Sequence, residues 1–236
     1  RAVLLIHGFG GTPFDLRPLG EYLSNNGIAA YGVLLPGFGT SELDLEKTNW
    51  RQWVATPEKA LATLTARYKK VYLVGFSMGG SIALHLAAKH KVAGVILLAP
   101  CIYINGQNMP ITPEYAIKHL AQFMATDYIV NDEMRAFDFS AMKDRPYYHL
   151  FPIKSLKELV GLEETAREEV KAVEEPVLII QSVNDHTVDK SGPSYLVSHL
   201  PRTAEVFWVE RSMHLLALDA ERDRVFKETR DFIVRH

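Results

Sequence analysis

Short apolar runs bounded by Gly, Pro or Asn recur along the chain, and they constrain its fold more than any other feature. They are Val3–Ile6, Ala29–Leu35, Val71–Phe76, Gly94–Ala99, Val177–Gln181 and Glu205–Val209. These runs are continuous rather than alternating, as strands buried on both faces are. Helical patterns fill the intervals. Thr12-Pro13-Phe14-Asp15 predicts a helix start, with a Thr cap, Pro in the first turn and an acid three residues on. Leu16, Leu19 and Leu23 continue that spacing, and Trp50, Val54, Leu61, Leu64 and Tyr68 suit a helix kinked near Pro57. Ser81–Ala88 predicts a helix of small residues able to pack deep in a core. Residues 219–233 close the chain with Val225, Phe226, Thr229, Phe232 and Ile233 on one face. Such alternation predicts an α/β fold: a mostly parallel central sheet flanked by helices.

The composition narrows the class further. With 236 residues, 47% apolar and 23% charged, the chain can bury a core without disulfides or a structural metal. Its single cysteine, Cys101, excludes an intrachain disulfide. A net charge of −2 with no basic stripe argues against nucleic acid as a partner. No apolar run approaches the ~18 residues of a membrane span, so no stable membrane insertion is expected. The chain opens on Arg1 and runs directly into a strand-like segment, so no signal peptide is visible, and residues upstream can be missing. The expected location is cytoplasmic.

One stretch breaks the rhythm. Residues 101–170 contain no convincing buried strand, yet hold Met109, Met124, Met134 and Met142, four of the six Met, and nine of the 24 aromatics. An insert of this kind predicts a mainly helical cap over a binding site, because Met adapts its shape to apolar ligands. The alternative is that these side chains pack a small core of the insert's own. The expected division is a core of residues 1–100 and 171–236, with 101–170 as the cap or lid.

The sharpest chemical signal is Gly75-Phe76-Ser77-Met78-Gly79, between a buried strand and a small-residue helix. In that context G-x-S-x-G predicts a nucleophile elbow, a sharp turn that leaves the Ser77 hydroxyl exposed on strained backbone. Gly75 and Gly79 stand where a Cβ would clash. A glycine-rich turn with an incidental serine is the plainer alternative. A serine hydroxyl needs a base, and His214 in Ser212-Met213-His214, just past the sixth run, emerges at the same sheet edge. Asp185, in Asn184-Asp185-His186 after the fifth run, is placed to orient it, with Asp189 as the rival acid. His7-Gly8-Phe9-Gly10-Gly11 after the first run can bring the Phe9 N–H to a developing oxyanion beside the Met78 N–H. His7 itself is expected to hydrogen-bond backbone in that turn. Neither dinucleotide nor P-loop glycine spacing occurs, and no clustered metal-ligand spacing is present, so no cofactor and no metal are expected. Glu163-Glu164 and Glu168-Glu169 read as a solvated helix face.

Together, HGFGG, Pro36-Gly37-Phe38-Gly39-Thr40-Ser41, GFSMGG, the Asp185 loop and Ser212-Met213-His214 resemble the α/β-hydrolase superfamily. Within it the chain is similar to bacterial carboxylesterases and monoacylglycerol lipases with a small lid. The resemblance covers nearly the whole chain and is weakest across 101–170. It implies an α/β-hydrolase fold whose usual first two strands are absent or cut off here. It implies Ser77 as nucleophile, His214 as base, Asp185 as orienting acid, and Phe9 and Met78 as the oxyanion hole. Phe38 and Met213 are expected to line the cleft from the sheet side. The expected partner is a small-molecule ester, short- to medium-chain monoesters or monoacylglycerols, bound by a monomer or weak homodimer. The same triad also serves thioesterases, acyltransferases and carbon–carbon bond hydrolases, and the fold can carry a non-catalytic receptor.

Overall fold

The computed structural model describes residues 1–106, 112–120, 128–130 and 136–236, with residues 120 and 128–130 described by backbone alone. In chain order the first elements are β1 (Ala2–Ile6), α1 (Arg17–Asn25), β2 (Ala29–Val33), α2 (Glu42–Glu46), α3 (Trp50–Arg67), β3 (Val71–Phe76), α4 (Met78–Ala87) and β4 (Gly94–Leu98). Then follow α5 (Pro113–Tyr115), β5 (Tyr128–Val130), β6 (Leu150–Pro152), α6 (Ile153–Glu169), β7 (Val177–Ser182), α7 (Gly192–His199), β8 (Glu205–Val209) and α8 (Arg222–Arg235). All six strands expected from the apolar runs form, within two residues of the expected ends.

They make one sheet in the order β2-β1-β3-β4-β7-β8, and every neighbouring pair is parallel. The four central strands are buried at every residue, which is why their sequences run apolar without a break. The edge strands β2 and β8 keep partial exposure, and β8 starts on an exposed Glu205. Alternate side chains enter opposite cores. Leu4, Ile6, Leu73, Val95, Leu97 and Ile179 pack with α3, α4 and α6. Val3, Leu5, Val74, Ile96, Leu98 and Ile180 pack with α1 and α8 on the other face. This is the α/β-hydrolase fold.

Local starts and stops follow from the residues. Thr12 accepts from the Phe14 N–H and opens a 3₁₀ turn, Pro13–Leu16, that leads into α1. Asn49 and Gln52 close a reciprocal capping box on α3, and Pro57 is accommodated inside that helix. All ten residues of α4 are buried, as an apolar helix without a polar face must be.

Within 101–170, α6 lies on the sheet face beside α4, with Leu156, Leu159, Leu162 and Ala166 in the larger core. The same stretch carries an antiparallel strand pair, β5 with β6, too short to leave a periodic signal in sequence. Met142 is buried, whereas Met109, Met124 and Met134 lie outside the described residues. Among the described residues no helix is long and apolar enough to cross a membrane.

Because the sheet is parallel, the residues after β1, β3, β7 and β8 all emerge at one edge. Those residues are His7, Ser77, the Asp185 loop and the His214 loop.

Candidate active site

The turn from β3 into α4 is forced by close approach. A Cβ on Gly75 would lie 2.2 Å from the Gly79 carbonyl oxygen, and one on Gly79 would lie 2.1 Å from that of Ile6. Gly80 is similarly pressed on Pro100, at 2.9 Å. Ser77 sits at φ 52°, ψ −120°, a left-handed conformation that costs a non-glycine residue on the order of 1–3 kcal/mol. The surroundings hold it there. Its N–H donates to Leu98 O at 2.9 Å, and its carbonyl accepts from Gly80 N at 2.8 Å and Cys101 N at 3.1 Å. Met78 is the first residue of α4, so its N–H stands at the positive end of the helix.

The loop after β1 presents Phe9 to the same edge. The Gly8 carbonyl and the Phe9 N–H belong to one planar peptide and point in opposite directions. His7 Nδ1 donates to Gly8 O at 2.8 Å, and Gly11 N donates to the same oxygen at 3.3 Å. Those two bonds orient the plane, and with it the Phe9 N–H. His7 Nε2 in turn accepts from Leu35 N at 3.1 Å. Burial drives the His7 pKa down to about 4, so the ring is neutral and can both donate and accept.

His214 follows β8, and its Nδ1 meets Asp185 Oδ2 at 2.9 Å with both side chains buried. Asp185 also accepts from Gln181 Nε2 at 2.9 Å, Thr187 N at 2.9 Å and Val188 N at 3.1 Å. Burial works against its charge, but the His214 imidazole and the backbone donors outweigh it and hold the carboxyl below its ordinary range. The Phe76 ring lies 5.0 Å from the His214 ring, which puts the imidazole beside the residue that precedes Ser77. The rival acid Asp189 instead accepts from Ser191 N and shapes the next turn. Met213 is half-buried beside His214. Phe38 is 1% exposed, enclosed by Phe9, His7, Trp53 and Tyr148, so it backs Phe9 rather than facing open space.

Three comparisons bear on this arrangement. A family model described as "Serine aminopeptidase, S33" matches residues 1–221. The chain belongs to that family. This S33-family hydrolase is 26% identical, over 99% of its length and 90% of the relative's, to the thermostable monoacylglycerol lipase of Bacillus sp. (strain H-257). It is 24% identical to a carboxylesterase of Bacillus subtilis (strain 168), over 99% of this chain and 92% of that one. A soluble variant of the Saccharomyces cerevisiae monoglyceride lipase shares the fold, with a TM-score of 0.83 and 20% identity over 100% of this chain and 86% of that one.

Several residues that shape the site of this S33-family hydrolase are not visible in the sequence. Asp219 is fully buried and accepts from Met213 N at 2.7 Å, next to His214, and from Phe137 N and Asp138 N of the insert at 2.9 and 2.8 Å. Glu221 accepts from the N–H groups of Glu210 and Arg211, and Ser182 Oγ donates to Ser212 O. These bonds fix the path of the histidine loop. Glu163 corrects an expectation: it is not on a solvated face but fully buried, and it accepts from Cys101 Sγ at 2.8 Å just behind the elbow. Burial pushes its carboxyl up to about 8. Helical spacing does separate Glu163 from exposed Glu168: it stands four residues after Leu159 and seven after Leu156, on the apolar stripe of α6. Among the described residues no group of three or more His, Cys, Asp or Glu side chains could hold a metal ion.

Proposed function

We propose that this hydrolase cleaves carboxylic esters, short- to medium-chain monoesters or monoacylglycerols, through an acyl-enzyme on Ser77. The observation that carries the reading is the buried His214–Asp185 pair at the sheet edge where the strained Ser77 turn emerges. The names of the Bacillus relatives support the ester class.

In this reading His214 Nε2 takes the Ser77 hydroxyl proton while Oγ adds to the ester carbonyl. Asp185 holds Nδ1 protonated and stabilises the imidazolium. In the same reading the oxyanion accepts from the Met78 and Phe9 N–H groups; the start of α4 and the His7–Gly8 bond, which fix those two peptides, support it. The C–O bond then breaks, and the alcohol leaves with the proton returned by His214. Water repeats the sequence on the acyl-enzyme, releasing the acid and restoring Ser77. The insert, residues 101–170, supplies the cap over an apolar acyl cleft, with Phe9 and Met213 on the sheet side.

An acyl-ester panel from two to sixteen carbons, with a monoacylglycerol and emulsified triacylglycerol, tests the substrate class. Each methylene that fits is worth about 0.8 kcal/mol, so kcat/KM should rise up to about fourfold per carbon and level off at medium chains, with little triacylglycerol turnover. A steady fall from the acetyl ester would exclude an apolar acyl cleft, and activity confined to thioesters would replace the ester class.

A further inference from the structure

The loop that presents Phe9 is rich in glycine, at positions 8, 10 and 11, and glycine backbone is the least restrained of any residue. His7 fixes one peptide plane of it. The rest is held from outside by one stretch of the insert, residues 145–151. Arg145 reaches Asp15, beneath the loop, through Nε to Oδ1 at 2.7 Å and Nη2 to Oδ2 at 3.0 Å, with both side chains buried. Asp15 crowds the loop so closely that a Cβ on Gly11 would lie 2.1 Å from its carboxylate. Tyr148 N donates to Gly10 O at 3.3 Å. The Tyr148 hydroxyl donates to Gly37 O at 2.7 Å and accepts from Thr40 N at 3.1 Å, pinning the turn that carries Phe38. Phe38 packs edge-on against Phe9, and so does Phe151, with ring centroids 5.8 and 4.9 Å from that of Phe9.

Thus the backbone on one side of Phe9, the turn behind its ring and the acid beneath the loop are all gripped by seven consecutive residues of the insert. A buried ion pair adds little net stability over apolar residues of the same size. Its bidentate geometry does fix distance and angle, which is what a hydrogen-bond donor aimed at a developing charge requires.

We propose that residues 145–151 form a strap that holds the Phe9 N–H in register with the oxyanion, with Arg145 and Tyr148 as positioning residues. The strap makes part of the insert a fixed component of the catalytic machinery rather than a cover over it. This inference rests on the reading of Phe9 as an oxyanion donor.

The test is Tyr148→Phe, which keeps the ring and removes both hydroxyl bonds. Its kcat and KM are measured on a soluble monoester. Its affinity is measured for an alkyl trifluoromethyl ketone, which adds to the serine as a tetrahedral adduct, and for the alcohol of the same chain, which does not. Misplacing one donor should lower kcat about tenfold and weaken ketone binding by about the same factor, with KM and alcohol binding within about twofold. Arg145→Lys, which keeps the charge and loses the bidentate grip, should show the same split and decides the question alone if Tyr148→Phe does not fold. A lowered melting temperature with kcat and ketone affinity unchanged would overturn the strap and leave only a structural role. Absence of any Ser77-dependent turnover in the wild-type chain would instead overturn the underlying ester-hydrolase reading.

Discussion

The elbow at Ser77 and the insert segment around Arg145 and Tyr148 both shape the candidate site, but by different physics. The elbow is compact and steric: five residues with a strained serine, where a Cβ on Gly75 or Gly79 would meet backbone atoms of Gly79 or of Ile6 within about 3 Å. The insert acts at long range, joining Arg145 to Asp15 and Tyr148 to Gly37 and Thr40 across more than a hundred residues of chain. A steric demand restricts which residue types can stand at a position and so leaves a spacing. A long-range polar contact restricts only a partner whose position the fold decides, and leaves none.

The largest effects should fall on Ser77 and the buried His214–Asp185 pair. Ser77→Ala and His214→Ala should each lower kcat by a factor on the order of 10⁴ or more, without additivity in the double variant. Asp185→Asn should be comparably damaging, because Asn favours the wrong imidazole tautomer, while Asp189→Asn should change kcat little. Steady-state kinetics on one soluble ester suffices. A larger loss from Asp189→Asn than from Asp185→Asn would break the acid assignment.

The insert contacts should weigh on stability as well as on rate. Asp15→Asn leaves the Arg145 guanidinium buried without its counter-charge and should cost about 3–5 kcal/mol in urea unfolding. A loss below about 1 kcal/mol would show that the insert is not anchored through this pair.

Two buried titrations sharpen the contrast and have opposite signs. His7 holds its proton only below about pH 4 in the folded chain, against an ordinary value of 6.5. The unfolded chain therefore binds more protons between those values, and stability should fall as pH drops from 6.5 to 4, by up to about 3 kcal/mol from this residue. A His7→Gln variant should lack that component. Glu163 behaves the other way: folded, it keeps its proton up to about pH 8, against an ordinary 4.5. Stability should fall as pH rises through that window. Glu163→Gln should accordingly gain on the wild type by several degrees in melting temperature between pH 5 and pH 8. A gap that stayed constant with pH would mean that the carboxylate is not desolvated behind the elbow.

Much of this was legible in the amino-acid sequence. Apolar runs placed all six strands of the parallel sheet, and the four central ones run unbroken because a strand buried on both faces has no polar side to interrupt it. Gly75, Gly79 and the position of Ser77 followed from the turn they must make, and the His214–Asp185 contact followed from both residues trailing strands of one parallel sheet. The β5–β6 pair was not legible, because three residues hold no period. Asp15 is the first-turn acid that its position predicts and is also the partner of Arg145, which no spacing reveals. Glu163 read as surface because of its charge, although its spacing from Leu156 and Leu159 puts it on the apolar stripe of α6. Phe38 was expected on the cleft wall and is buried against the Phe9 ring, a placement only packing can reveal.

The central claim is that Ser77 is a nucleophile activated by His214. Reacting the folded wild-type chain with a fluorophosphonate and locating the adduct by peptide mass spectrometry tests it most directly. One phosphonyl group should be found on Ser77, with none on Ser77→Ala and a rate at least a hundredfold lower on His214→Ala. A folded wild-type chain left unmodified, or modified at a residue other than Ser77, would contradict the claim.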